Sequence, residues 1–146
     1  MGKVGTIEAV CTSDRKGIPK TPVEEIRLVE EHGVHDDAHA GSDRQVSLLC
    51  RSSIDKMRAL GLEVGPGAFA ENLTIDGLTP GDLQLGTRLG IGAEVLVEVT
   101  QIGKECHTGC AIRQQTGKCI MPTEGVFARV VSGGTVRPGD TIKTED

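Results

Sequence analysis

The chain has 146 residues, a formal net charge of −5 and two aromatic side chains, Phe69 and Phe127. This length predicts a single domain, residues 1–146, whose core is large enough to fold without disulfides. The acidic balance, the lack of any Lys/Arg block and the scarcity of rings for base stacking argue against a nucleic-acid-binding protein. A small ligand or a transient protein partner is expected instead.

No targeting or membrane segment is expected. Residues 1–20 hold no apolar run of signal-peptide length, and no run of about eighteen apolar residues occurs anywhere. We therefore expect a cytoplasmic protein. In that reducing compartment five cysteines indicate free thiols, metal ligands or a catalytic thiol rather than disulfides. Cys11 and Cys50 lie in apolar stretches and are predicted to be buried packing residues.

Short Val- and Ile-rich segments separated by Gly, Pro and Asp turns predict a strand-rich fold. In chain order the predicted strands are residues 4–11, 26–29, 45–50, 72–75, 88–91, 93–101, 126–131 and 141–143. Gly92 predicts a tight hairpin between the fifth and sixth of them. Pro-Gly-Asp turns recur before residues 83 and 141, as at the corners of barrels. The expected fold is mainly β, a closed barrel with one or two short helices.

One segment predicts a helix. Ser52 or Ser53 is its expected N-cap, Ile54, Met57 and Leu60 form its apolar face, and Gly61 ends it. A second short helix is predicted after Gly109.

Three of the five cysteines, Cys106, Cys110 and Cys119, lie in one fourteen-residue stretch. We call this stretch, together with Lys104 two residues before it, the cysteine segment (residues 104–119). Lys104 and His107 flank Cys106, and a cation or hydrogen-bond donor beside a thiol favours the thiolate. Because the segment follows a predicted strand, it lies on a loop, where function concentrates. The sequence predicts either a thiophilic metal site or a reactive thiolate.

Structural zinc is one interpretation of this pattern. Cys106, Cys110, Cys119 and a histidine would form a Cys3His set, with His35 and His39 as alternatives to the adjacent His107. The spacing lacks a paired C-x2-C knuckle, which weakens the zinc interpretation.

Two further polar segments are candidates for ligand contacts. Residues 33–45 contain several His and Asp residues between turn glycines and end with Arg44, whose guanidinium suits a phosphate or carboxylate. Glu71 and Asn72 open a predicted strand, and a hydrogen-bonded corner explains them as well as a ligand does. Neither a Walker loop nor a dinucleotide-binding glycine motif is present.

Several short sequence phrases resemble a known family by their shared order. They are Arg44-Gln45-Val46, Glu71-Asn72-Leu73, Gly77-Leu78, Leu85-Gly86, Ile91-Gly92, Glu98-Val99-Thr100-Gln101 before Cys106, and Gly117 to Cys119 before Glu124-Gly125. Over nearly its whole length the chain resembles the MOSC domain, named after the C-terminal part of molybdenum cofactor sulfurases, in its small standalone bacterial form.

The resemblance implies a closed β-barrel that binds the molybdenum cofactor, a pterin dithiolene with a phosphate tail. It selects Cys106 as the ligand of molybdenum or the carrier of sulfur, with Lys104 and His107 as its catalytic neighbours. It implies that Arg44 neutralises the phosphate. The further implied cofactor contacts are His39, Gln45, Glu71, Asn72 and Cys119.

The resemblance leaves the activity open between a molybdenum-dependent reductase, a sulfur-transfer protein and a noncatalytic cofactor carrier. No aminotransferase-like setting for a pyridoxal-phosphate lysine is recognisable, so pyridoxal phosphate would act only through a separate cysteine desulfurase partner. A molybdoenzyme that receives the cofactor is the other implied partner.

Overall fold

The structure, a computed structural model, describes residues 3–13, 20–35, 37, 41, 45–61, 65–67, 69, 71–102 and 125–145. Within these residues lie eleven strands, one α-helix and one 3-10 turn. They are β1 (Val4–Thr12), β2 (Thr21–Val23), β3 (Ile26–Val29), β4 (Gly33–Val34), β5 (Val46–Cys50), α1 (Arg51–Ala59), β6 (Leu73–Asp76), the 3-10 turn (Pro80–Asp82), β7 (Arg88–Ile91), β8 (Val95–Ile102), β9 (Val126–Ser132), β10 (Gly134–Val136) and β11 (Thr141–Glu145).

Seven strands close into a barrel in the order β1, β11, β7, β8, β9, β5, β6 and back to β1. The pairs are antiparallel except β5 and β6, which run parallel. A parallel pair needs a crossover, and α1 supplies it while packing against both strands. Because every barrel strand has two partners, the barrel has no open edge. The predicted mainly β, closed-barrel fold is confirmed.

Alternation of apolar and polar side chains explains why the barrel closes on a dry interior. In β8, Val95, Val97 and Val99 are buried, while Leu96 and Glu98 are partly exposed. The other barrel strands send Ile, Leu and Val side chains into the same cluster. Each such side chain contributes about 1.5–3 kcal/mol on full burial.

All eight predicted strands are present, with ends that shift by at most two residues. The sequence analysis missed β2, β4 and β10, which have only two or three residues each and so show no readable alternation. Strand β2 extends the barrel sheet beside β1, and Pro22 at its centre lacks the N–H of a normal strand residue. Strands β10, β3 and β4 form a separate three-stranded sheet.

Helix α1 begins earlier than predicted. Its N-cap is Cys50 and not Ser52 or Ser53, because β5 runs directly into the helix and leaves Ser53 buried within it. Ile54 and Met57 form the buried face, whereas Leu60 is 52% exposed, contrary to the predicted apolar face. Gly61 follows with φ +97°, which confirms it as the stop signal. Among the described residues, no helix is both long and apolar enough to cross a membrane.

The predicted hairpin joins β7 to β8, with Ile91 opposite Val95 and Gly92 at φ 60°. The two Pro-Gly-Asp phrases each form the same kind of local hydrogen bond. Asp82 accepts from the Thr79 N–H, and Asp140 accepts from the Arg137 N–H, each at 2.9 Å. The second phrase leads directly into β11, but the first forms the 3-10 turn and no strand follows it before β7. The helix predicted after Gly109 lies outside the described residues.

Candidate functional site

Most predicted site residues lie in parts of the chain that the structure does not describe. Lys104, Cys106, His107 and Cys119 belong to the undescribed cysteine segment. The other undescribed residues of the prediction are His39 and Arg44. Gln45, Glu71 and Asn72 are described, so the structure shows the contacts of these three residues.

The described residues that flank the cysteine segment lie on neighbouring strands of the barrel. Ile102, the last residue of β8, pairs with Val126, the first of β9. Val126 pairs in turn with Leu48 of β5, and Leu48 with Leu73 of β6. With a spacing of about 4.8 Å between strands, this row spans about 14 Å. Ile102 and Val126, the nearest strand residues on either side of the cysteine segment, therefore lie in the same row as Leu73, which follows Glu71 and Asn72.

Asn72 joins three strands through its side-chain amide and is fully buried. Its Oδ1 accepts the Ser47 backbone N–H at 3.0 Å, and its Nδ2 donates to the Cys11 carbonyl oxygen at 3.0 Å. The Ser47 hydroxyl oxygen accepts the Asn72 backbone N–H at 3.0 Å. These bonds hold the start of β6 against β5 and the end of β1.

Glu71 holds the chain that precedes β6. Its buried carboxylate accepts the N–H groups of Gly67 at 3.0 Å and Phe69 at 3.2 Å, and the Thr74 hydroxyl at 3.1 Å. Burial raises the pKa of the Glu71 carboxyl above its ordinary value, and the hydrogen bond from Gly67 is the largest of the opposing effects. The carboxylate is therefore turned towards the protein's own backbone.

Gln45 also bonds within the barrel, since its Oε1 accepts the Val130 N–H at 3.0 Å. The three described site residues thus lie in a hydrogen-bonded framework, the interpretation that the sequence analysis kept open for Glu71 and Asn72. Their contact with a cofactor stays a prediction.

A buried ion pair beside this framework was missed by the sequence analysis. Lys20 Nζ lies 2.8 Å and 3.1 Å from the two carboxylate oxygens of Asp37, and neither side chain is exposed. Lys20 Nζ also donates to the Ser13 hydroxyl at 3.0 Å. Lysine is almost never buried unless paired, so sequence reasoning treats it as a surface residue. Asp37 lies in the His- and Asp-rich segment that the sequence analysis chose as a candidate for ligand contacts. The pattern of neighbouring residues does not indicate that Lys20 is its partner.

Cys11 and Cys50 are fully buried, as predicted. The Cys11 pKa is raised to about 12, first by burial and then by the negative charge of Glu71, while Lys20 acts in the opposite direction. A thiol with such a pKa stays protonated at neutral pH and is a poor nucleophile or metal ligand.

A groove of about 270 Å³ lies beside β2 and β3. It is lined by Thr12, Val23, Glu25, Ile26, Arg27 and His35. In the described part of the chain, no three His, Cys, Asp or Glu side chains lie close enough together to hold a metal ion. The cysteines of the zinc and molybdenum interpretations lie outside that part.

The comparisons with known proteins agree with the geometry. The sequence profile of the MOSC domain matches residues 35–143. YuaD from Bacillus subtilis superposes with a TM-score of 0.82 at 15% identity, covering 99% of this chain and 97% of that one, a likeness of fold. No curated protein matches the chain significantly.

Two structures of YiiM are also similar. The protein from Geobacillus stearothermophilus has a TM-score of 0.73 and 23% identity, covering 97% of this chain and 75% of that one. The Escherichia coli protein has a TM-score of 0.67 and 25% identity, with coverages of 97% and 70%. The profile match includes every predicted site residue and most of the barrel. The chain therefore belongs to the MOSC domain family, which is associated with the molybdenum cofactor.

Proposed function

We propose that this protein binds the molybdenum cofactor and that Cys106 supplies the working thiolate, as a ligand of molybdenum or as a carrier of sulfur. The observation that carries the proposal is the MOSC match over residues 35–143, which includes Cys106, Arg44 and His39. When bound, the cofactor would supply two-electron redox chemistry at its metal.

The donor set suits this cofactor. Sulfur is a soft ligand for a thiophilic metal, and Lys104 and His107 adjoin Cys106 in sequence, where a cation or donor stabilises a thiolate. By contrast, burial of Cys11 raises its pKa to about 12. Cys50 is equally buried. The proposal therefore assigns the chemistry to the cysteine segment, with Cys119 as a second ligand or a resolving thiol.

Arg44 is proposed to bind the phosphate tail, because its planar guanidinium offers two parallel donors to phosphate oxygens. His39 is proposed as a second contact on the same segment. Gln45, Glu71 and Asn72 have protein partners at 3.0–3.2 Å, so within this proposal they support the adjacent chain, and a pterin contact would use only the donor and acceptor capacity that these partners leave.

The test is elemental analysis for molybdenum, tungsten and zinc on protein purified without oxygen, together with its absorption spectrum. The chain has no Trp or Tyr, so a bound pterin would dominate the near-ultraviolet region. Wild type is expected to contain molybdenum and a pterin band, and Cys106→Ala to lose both. Cys50→Ala, which removes a buried thiol outside the segment, is the matched control and should keep both.

Equal molybdenum in wild type and Cys106→Ala would refute the role of Cys106. Stoichiometric zinc that disappears in Cys106→Ala would establish the structural zinc interpretation instead.

A second measurement separates ligation from sulfur transfer. Incubation with a pyridoxal-phosphate cysteine desulfurase and cysteine should add about 32 Da to Cys106 if it carries a persulfide. If the protein is a reductase, its cofactor-loaded form should reduce an N-hydroxylated substrate when an electron donor is present. If it is a carrier, the loaded form should only pass the cofactor to an acceptor molybdoenzyme.

A further inference from the structure

Strand β2 is an exposed edge of the barrel sheet. Among the described strands it pairs only with β1, whereas each of the seven barrel strands has at least two partners. All three of its residues, Thr21, Pro22 and Val23, are exposed. The edge strands of the separate sheet are better covered, since both residues of β4 are buried and those of β10 are half-buried or buried. An exposed edge favours pairing with a strand of another molecule.

The hydrogen bonds of Cys11 show which way the backbone of β2 points. The Cys11 N–H donates to the Asn72 carbonyl oxygen at 2.8 Å, and the Cys11 carbonyl oxygen accepts Asn72 Nδ2 at 3.0 Å. Both backbone groups of Cys11 therefore face away from β2. In the register of the two strands, Cys11 lies opposite Pro22. Because opposite residues of an antiparallel pair either exchange hydrogen bonds or both face outward, Pro22 directs its backbone towards the open edge.

Pro22 leaves this edge without a donor. An added strand needs both an N–H and a carbonyl group from the residue that faces it, and the proline ring replaces the N–H. Thr21 and Val23 lie opposite Thr12 and Val10, and by the same alternation they direct their backbone groups towards β1. Two residues before Pro22, the Lys20 N–H already donates to the Gly67 carbonyl oxygen at 2.8 Å. Within β2, no N–H is therefore left for an added strand.

We infer that Pro22 closes the exposed edge of the barrel sheet to strand addition and so prevents two copies of this chain from pairing edge to edge. A second copy is the partner that this edge would otherwise take. An antiparallel pair centred on residue 22 is two-fold symmetric, so each copy would donate one hydrogen bond and accept one. The inference rests on the backbone of β1 and β2 and not on the proposed function.

The experiment compares wild type with Pro22→Thr by sedimentation equilibrium over a range of protein concentrations. Threonine restores the N–H, adds little apolar surface and suits a strand. The variant should fold, because the Pro22 nitrogen donates no hydrogen bond that could be lost. We expect its self-association constant to be about tenfold larger than that of wild type, since two hydrogen bonds between copies become possible.

Pro138→Thr is the matched control, because Pro138 is also exposed but lies in the turn between β10 and β11. It should leave the self-association constant at the wild-type value. If Pro22→Thr does not fold, Pro22→Ala provides the test, because it restores the same N–H with a smaller side chain. Amide hydrogen exchange locates the contact. In the variant, exchange of the amide at position 22 should slow as the protein concentration rises.

Self-association equal to that of wild type in the position 22 variants that fold would overturn the inference. Stronger association that leaves the amide at position 22 unprotected would also overturn it, because the copies would then meet at another surface. An equal increase in Pro138→Thr would assign the effect to the loss of any exposed proline and would count against the edge in the same way.

Discussion

Two polar regions of the barrel use similar residues in opposite ways. The buried corner consists of Ser13, Lys20, Asp37, Gly67, Glu71 and Asn72. The exposed ion-pair row consists of Glu31, in the turn between β3 and β4, and of Arg88, Glu98 and Arg129, which lie on β7, β8 and β9. In the row, Glu98 lies 3.3 Å from Arg88 Nε and 3.1 Å from Arg129 Nε, and Arg129 also pairs with Glu31.

The two regions shift the pKa of a carboxyl in opposite directions. Burial raises the pKa of Glu71. Hydrogen bonds from Arg129 and then Arg88 lower the pKa of Glu98, which solvent also reaches. In the corner every polar atom must find a protein partner, so the geometry is closely specified. In the row, water replaces any lost partner, so the ion pairs do little to fix the positions of these side chains.

The largest expected difference concerns thiol reactivity. With a pKa of about 12, the Cys11 thiol has a thiolate fraction at pH 8 about 10³-fold below that of an ordinary exposed cysteine. In native protein, labelling with a thiol reagent should leave Cys11 unmodified on the timescale in which cysteine-segment thiols react. The number of thiols labelled in the fast phase should be the same in Cys11→Ala as in wild type. A smaller number in the variant would contradict the burial of this thiol. In urea, one thiol fewer should be labelled in the variant.

Backbone packing in the corner gives the next prediction. Gly67 has φ +88°, and a Cβ there would lie 2.1 Å from the Lys20 carbonyl oxygen. Gly67→Ala should lower the free energy of unfolding by about 3 kcal/mol or more, since it adds this clash to left-handed strain. Gly61 is the control, with φ +97° and open space around its Cβ. Gly61→Ala should lose only about 1 kcal/mol in urea unfolding. Equal losses of unfolding free energy in the two variants would show that the buried corner shifts to accommodate the added methyl group.

The pH dependence of stability should differ in sign between the two carboxyls. The folded-state pKa of Glu71 is raised, so its contribution is fully present below the unfolded pKa and is lost as pH rises through the folded value. The stability advantage of wild type over Glu71→Gln should therefore shrink from acid towards neutral pH. For Glu98, whose pKa is lowered, the advantage over Glu98→Gln should be present above the unfolded pKa and disappear towards acid.

Urea midpoints measured from pH 3 to 8 provide the check, within the range where the protein remains folded. Parallel curves for the two variants would contradict the assigned environments.

The smallest effect is expected in the exposed row. Arg88→Gln removes one of two arginines from Glu98, and the remaining Arg129 and water keep the carboxylate solvated. Its urea midpoint should match wild type, at low salt and at high salt alike. A loss of stability as large as that of Gly67→Ala would contradict the difference proposed between the two regions.

Much of the barrel could be predicted from local pattern. The strict alternation in β8, the turn at Gly92 and the helix stop at Gly61 each depend on residues within a few positions of one another. The burial of Cys11 and Cys50 followed from their apolar neighbours. The ordered phrases around Arg44, Glu71 and Cys106 indicated the MOSC family before the profile match confirmed it.

Only the tertiary structure decided how distant segments meet. Closure of the barrel through β1 and β11 joins the two ends of the described chain. The Lys20–Asp37 pair spans 17 positions, and the bond from Asn72 to Cys11 spans 61. Local periodicity carries no signal for such contacts, because they depend on how the sheet curls and on which buried polar atoms still need a partner. The sequence by itself therefore determined the strands and the candidate thiol, and folding decided which distant polar residues bond to one another.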